Sequence, residues 1–258
     1  MNTMLPKVQI LATGGTISGV GRHRLDYVAY GETGQHLTIQ ELLARVPEVT
    51  QVARVEAEQF ANVGSPALTP QHWLELAQRI NQGFRSDPDL SGVVVTHGTA
   101  TMEETGYFLN LTVKDPRPVV LTGAMRPASA LGTDADVNLL AAVRTAASPS
   151  AINQGVMVVL NDQISAAREV SKTNTYRVET FKPGELGLLG YADSDGAVVF
   201  YRSPTRRHTH QSAFQVDENT SLPRVDVNLR VPGGRWLAGA LPGRTRSWRD
   251  CHRQRGRW

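Results

Sequence analysis

Short, wholly apolar runs recur along the chain, and stretches with apolar residues at helical spacing lie between them. "KVQILAT" (7–13), "SGVVVT" (91–96), "RPVVLTG" (117–123) and "QGVMVVLND" (154–162) each pack three to five apolar residues into one strand length, and "QVARVEAEQ" (51–59) alternates weakly. Between them, "LTIQELLARV", "LTPQHWLELAQRINQGF", "TMEETGYFLNLTV" and "TDADVNLLAAVRTAA" show the 3–4-residue period of amphipathic helices. Their starts carry helix signals. Thr38 with Glu41, and Thr101 with Glu104, have capping-box spacing. Thr69 is placed to cap a helix whose first residue is Pro70. Strands without a polar face, alternating with helices, predict an α/β fold: a largely parallel sheet covered by helices on both faces.

That architecture says where to look for chemistry, because ligands in open α/β sheets bind outside the carboxyl ends of the strands. Three polar clusters directly follow apolar runs: "TGGT" (13–16), "THGTAT" (96–101) and "TGAMRP" (122–127). Any one of them reads as ordinary turn chemistry; three on one sheet edge read as a site. There is no phosphate-cradling GxxxxGK[ST], no GxGxxG after the first strand, and no GxSxG elbow. The clusters offer hydroxyls instead, on Thr13, Thr16, Thr96, Thr99, Thr101 and Thr122. A threonine hydroxyl becomes a nucleophile only when a base takes its proton. Lys172, flanked by Ser171, Thr173 and Asn174, is a candidate base.

Composition narrows this picture. The 258 residues suffice for one large or two smaller domains, with 40% apolar and 20% charged residues. No apolar run approaches the ~20 residues that cross a bilayer. The N-terminus lacks signal-peptide character, so the expectation is a cytoplasmic protein with no membrane partner. A single cysteine, Cys251, excludes an internal disulfide framework, and no Cys/His cluster has metal-ligand spacing, so no metal is expected. The net charge of +3 is unevenly spread. Eight of the 27 basic residues and one of the 24 acidic ones fall in residues 229–258, with three of the four Trp. The rest of the chain is net acidic. That segment has neither helical nor strand periodicity and is expected to be a disordered, aberrant tail. An Arg- and Trp-rich tail could serve nucleic acid, but the acidic body argues against such a partner.

The chain resembles the bacterial-type L-asparaginase (asparaginase/glutaminase) family. The resemblance rests on "ILATGGTIS", "VVVTHGTATMEET", "VVLTGAMRP" and "REVSKTNTYRVETFKPGELG", and covers roughly residues 7–228. It implies hydrolysis of L-asparagine, or of L-glutamine, to the carboxylate and ammonia through a threonine nucleophile, without a cofactor, in a homo-oligomeric family. Carried over residue by residue, it implies that Thr16 is the primary nucleophile, on a loop loosened by Gly14, Gly15, Gly19 and Gly21. Tyr27 or Tyr30 would assist it, with Tyr30 the assignment adopted. Thr99 would be the second catalytic threonine and Lys172 its activating base. Ser65 would hold the substrate's carboxylate, and position 100 would meet the substrate's ammonium.

Two departures qualify that expectation. The family has Asp where this chain has Ala100, so the partner of the ammonium is missing. Family-like sequence also stops near 228, so the family's smaller C-terminal α/β domain is expected to be absent. The expected organisation is an asparaginase-like N-terminal domain (1–205), a linker and the start of the next domain (206–228), and the tail (229–258). The expected function is an amidohydrolase domain of impaired or no activity; the alternative is a non-catalytic remnant that binds small amino acids.

Overall fold

A computed structural model describes residues 4–225. The described residues up to Leu222 form one compact unit. The tail expected at 229–258 lies outside the described residues.

The sheet has eight strands. Five of them were legible as apolar or alternating runs: β1 (Lys7–Ala12), β2 (Arg54–Gln59), β3 (Leu90–Thr96), β4 (Val119–Thr122) and β5 (Val156–Leu160). They pair in parallel in the order β2-β1-β3-β4-β5, as expected. β6 (Gln163–Ala166) turns back from β5 through Asn161 and Asp162, both at positive φ. A separate two-stranded ribbon follows, β7 (Ser171–Lys172) with β8 (Phe181–Lys182). Two short antiparallel strands, β9 (Gly190–Ala192) and β10 (Val198–Phe200), complete the sheet beyond β6.

Five helices, α1 (Ile39–Arg45), α2 (Val49–Val52), α3 (Pro70–Ser86), α4 (Met102–Thr112) and α5 (Ala135–Ala147), cover both faces. Strand alternation assigns the two cores. Val94, Val120, Met157 and Val159 pack with Ile39, Leu42 and Leu139 of α1 and α5. Their neighbours Val93, Val95, Val119, Leu121 and Val158 pack with Leu76, Ile80 and Leu109 of α3 and α4. Because both faces are buried, the central strands have no polar face, which is why they read as continuous apolar runs.

The helix starts hold with one exception. Thr38 and Glu41 form the expected capping box, and Pro70 opens α3 after Thr69. Thr101 is the residue before α4, but it makes no cap there. Its hydroxyl donates instead to the Ser65 carbonyl, at 3.1 Å. A tertiary acceptor has replaced the local one. Residues 206–222 lie against the body: Lys114 Nζ donates to the Ser212 carbonyl (2.6 Å), Gln78 Nε2 to that of Asp217 (2.7 Å), and His208 is buried beside Gly155. Among the described residues no helix is long and apolar enough to cross a membrane.

Candidate active site

The loops after β1, β3 and β4 meet at the carboxyl edge of the parallel strands, and the first two are joined by glycines. Gly15 has φ 88° and ψ −169°, a backbone region essentially confined to glycine. A Cβ there would stand 2.2 Å from Gly98 Cα, and one on Gly98 would stand 2.9 Å from Ser65 Oγ. The "TGG" and "HGT" turns therefore touch backbone to backbone. Some of the edge hydroxyls are spent on the scaffold. Thr13 Oγ1 donates to the Thr96 carbonyl (2.8 Å) and Thr122 Oγ1 to that of Val159 (2.8 Å).

Of the six edge hydroxyls, those of Thr16 and Thr99 face a cavity of about 520 Å³ whose lining also includes Tyr30 and Lys172. Two short pairs face it. Thr16 Oγ1 lies 2.7 Å from the Tyr30 hydroxyl. Lys172 Nζ donates to Thr99 Oγ1 at 2.8 Å. The two tyrosines are thereby distinguished: Tyr27 also lines the cavity, but its hydroxyl donates to the Leu131 carbonyl (2.9 Å). The buried Asp26 carboxylate folds the segment that carries them, accepting from the N–H groups of Arg22 (3.2 Å) and Ala29 (2.8 Å).

Burial lowers the pKa of the half-buried Lys172 from the ordinary lysine value, and the Glu103 carboxylate pulls it back up. Local pairing gave no signal for Glu103, in the first turn of α4. It accepts from the backbone N–H of Lys172 at 2.6 Å and from Ser171 Oγ at 3.2 Å, so it fixes β7 over the start of α4. Sequence reasoning also passed over Arg126 and Arg177, which line the cavity. The N–H groups of Met125 and Arg126 donate to the buried Asp134 carboxylate, both at 2.9 Å, which fixes the loop after β4. The Asn174 side chain accepts from the N–H groups of Tyr176 (2.8 Å) and Arg177 (3.0 Å), which shapes the turn between β7 and β8.

Neither Ser65 nor Ala100 is among the described residues lining the cavity. Ser65 is buried, and its Oγ accepts from the Thr101 N–H at 3.2 Å, so it braces the turn that presents Thr99. Ala100 is exposed.

His97 is a second buried group in that turn. It is fully buried, Nδ1 lies 2.7 Å from the Gly98 carbonyl, and Nε2 has no partner among the described residues. Burial pushes its pKa down to about 4. Between pH 6.5 and 4 the unfolded chain therefore binds a proton that the folded chain does not. Stability contributed at neutral pH is lost as pH falls through that window, by about 3 kcal/mol at pH 4. Urea unfolding at pH 7 and pH 4 is expected to show this loss, and a His97→Asn protein should lose correspondingly less. An equal loss in both would place the acid sensitivity elsewhere.

Comparison with known proteins identifies the family. Residues 7–206 match the family model described as asparaginase, N-terminal. The chain is 45% identical over 225 residues to L-asparaginase 2 of Bacillus subtilis, which covers 86% of this chain and 58% of that protein. It is 44% identical over 226 residues to L-asparaginase 2 of Escherichia coli, covering 86% and 62%. It is 39% identical over 227 residues to the glutaminase-asparaginase of Pseudomonas fluorescens, covering 87% and 61%. The chain thus spans about three fifths of the length of these relatives. A crystal structure named as a probable cytoplasmic L-asparaginase, from Campylobacter jejuni, superposes with a TM-score of 0.76 at 42% identity, over 85% of this chain and 64% of that one. With the family model matching most of its length, the chain belongs to the asparaginase family, of which it carries the N-terminal α/β domain.

Proposed function

We propose that this chain is a carboxamide hydrolase domain that converts a side-chain amide to a carboxylate and ammonia through a threonine nucleophile. One observation carries this reading: two activated-hydroxyl pairs, Thr16–Tyr30 and Thr99–Lys172, line one cavity. In this reading Thr16 Oγ adds to the amide carbon while its proton passes to the Tyr30 oxygen. The carbon–nitrogen bond breaks as the nitrogen takes up a proton and leaves as ammonia. Water then splits the resulting ester, its proton drawn toward the Thr99–Lys172 pair, and the Thr16 hydroxyl is restored. A lysine held low by burial is a better base near neutral pH than a solvated one.

L-Asparagine is the reference substrate and L-glutamine the second, after the names of the relatives. Turnover of either is expected to be low, because the methyl of Ala100 offers an α-ammonium no partner. The rival reading is a domain that binds small amino acids without hydrolysing them. Ammonia release separates the two. The unmodified protein should release ammonia above the blank, and Thr16→Ala should abolish that release by ~100-fold or more. Equal release from both proteins would remove Thr16 from the chemistry.

A further inference from the structure

The charge of the cavity is one-sided. Arg126, Arg177 and Lys172 line it, and no Asp or Glu is among the described lining residues. Among the described residues neither arginine is ion-paired. Arg126 spends one N–H on the Gly132 carbonyl (2.7 Å) and stacks its guanidinium 5.7 Å from the Tyr27 ring centroid, so its remaining donors are free for a ligand. Glu103, the carboxylate that raises the pKa of Lys172, is spent on the backbone N–H of that residue and on Ser171. The residue after Thr99 is Ala100, which adds no charge.

Such a cavity discriminates between the two ends of an amino-acid amide. A carboxylate meets planar, permanently charged donors that match its geometry. An ammonium meets cations and no counter-charge. The geometry points to amides whose far end is a carboxylate without an ammonium: monoamides of dicarboxylic acids, with succinamate the simplest, ahead of α-amino amides. This inference rests on the hydrolase reading given above and sharpens its substrate class. Succinamate differs from L-asparagine only in lacking the ammonium, so the pair isolates that one charge. Hydrolysis of its amide yields succinate and ammonia, with water as the only co-reactant.

The test uses the unmodified protein and separates binding from chemistry. Calorimetric titration with the non-reacting products, succinate and L-aspartate, is expected to show succinate binding roughly ten-fold or more tightly, the usual size of one charge-assisted contact. Arg177→Gln, a change at an exposed position, should weaken succinate by about as much and L-aspartate by less, because L-aspartate loses a carboxylate contact but also sheds a repulsion on its ammonium. Ammonia release should then show kcat/KM for succinamate above that for L-asparagine by a similar factor. L-Aspartate binding as tightly as succinate, or no detectable binding of succinate, would overturn the inference. A clear succinate preference with no ammonia from either amide would leave the binding class standing and overturn the hydrolase reading instead.

Discussion

Replacing Lys172 by methionine is expected to cut ammonia release by about 10²–10⁴-fold, the usual cost of removing a positioned base, while the protein stays folded. The side chain is half-buried and burial already disfavours its charge, so an apolar replacement removes a desolvation cost rather than adding one. The Thr99 hydroxyl, now 2.8 Å from Nζ, would lose the group that takes its proton. The pH profile makes the role specific. In the parent protein the rate should rise as Lys172 loses its proton, at a pH below the ordinary lysine value of 10.5. In Lys172→Met that rising limb should disappear. Release within ten-fold of the parent, or an unchanged alkaline limb, would show that some other group activates the second threonine.

The second large effect is expected at Gly15. Gly15→Ala forces an L side chain to φ 88° and drives a methyl to 2.2 Å from Gly98 Cα and 2.5 Å from Gly98 N. Backbone strain of this kind costs about 1–3 kcal/mol, and overpacking about as much again. Neither neighbour can step aside, since both atoms belong to the backbone of the turn that presents Thr99. Urea unfolding should show a loss of roughly 2–6 kcal/mol, a large share of the ~5–15 kcal/mol that holds a typical domain together. A loss under about 1 kcal/mol would mean that the two turns can separate without consequence. The four glycines around Thr16 looked like a licence for movement. At Gly15 the geometry gives a different reason: the residue must be small for two turns to meet.

What was legible followed from periodicity. The central parallel strands β3, β4 and β5 are buried on both faces, so Val93–Val95 or Val156–Val159 announce themselves without reference to the rest of the chain. The antiparallel strands β6 and β9 have at most four residues each and no long apolar run, whereas β10 lies in an apolar run, residues 197–201, that sequence reasoning passed over. The ribbon that carries Lys172 has two residues per strand. Spacing could place Thr16, Thr99 and Lys172 near one another only through a family resemblance. It could not choose between Tyr27 and Tyr30, because that choice depends on which hydroxyl reaches Thr16 and which turns to Leu131. Thr101 shows the opposite failure. Its capping-box spacing was sound as a local signal, but the Ser65 carbonyl, 36 residues away in sequence, competed for the same hydroxyl and won. Glu103 carried no signal at all, since its partner stands 69 residues further along.

The two hydroxyl pairs differ in how much chain each encloses. Thr16 and Tyr30 are 14 residues apart, whereas Thr99 and Lys172 are 73 apart, with α4, β4, α5, β5 and β6 between them. Closing the longer loop costs about 1.5 kcal/mol more chain entropy than closing the shorter one. The shorter pair can close as soon as the first strand and its following loop are in place. The longer pair must wait for the central strands to enter the sheet in order. During synthesis the two halves of the site are therefore completed at different chain lengths, and the half that holds the lysine comes last.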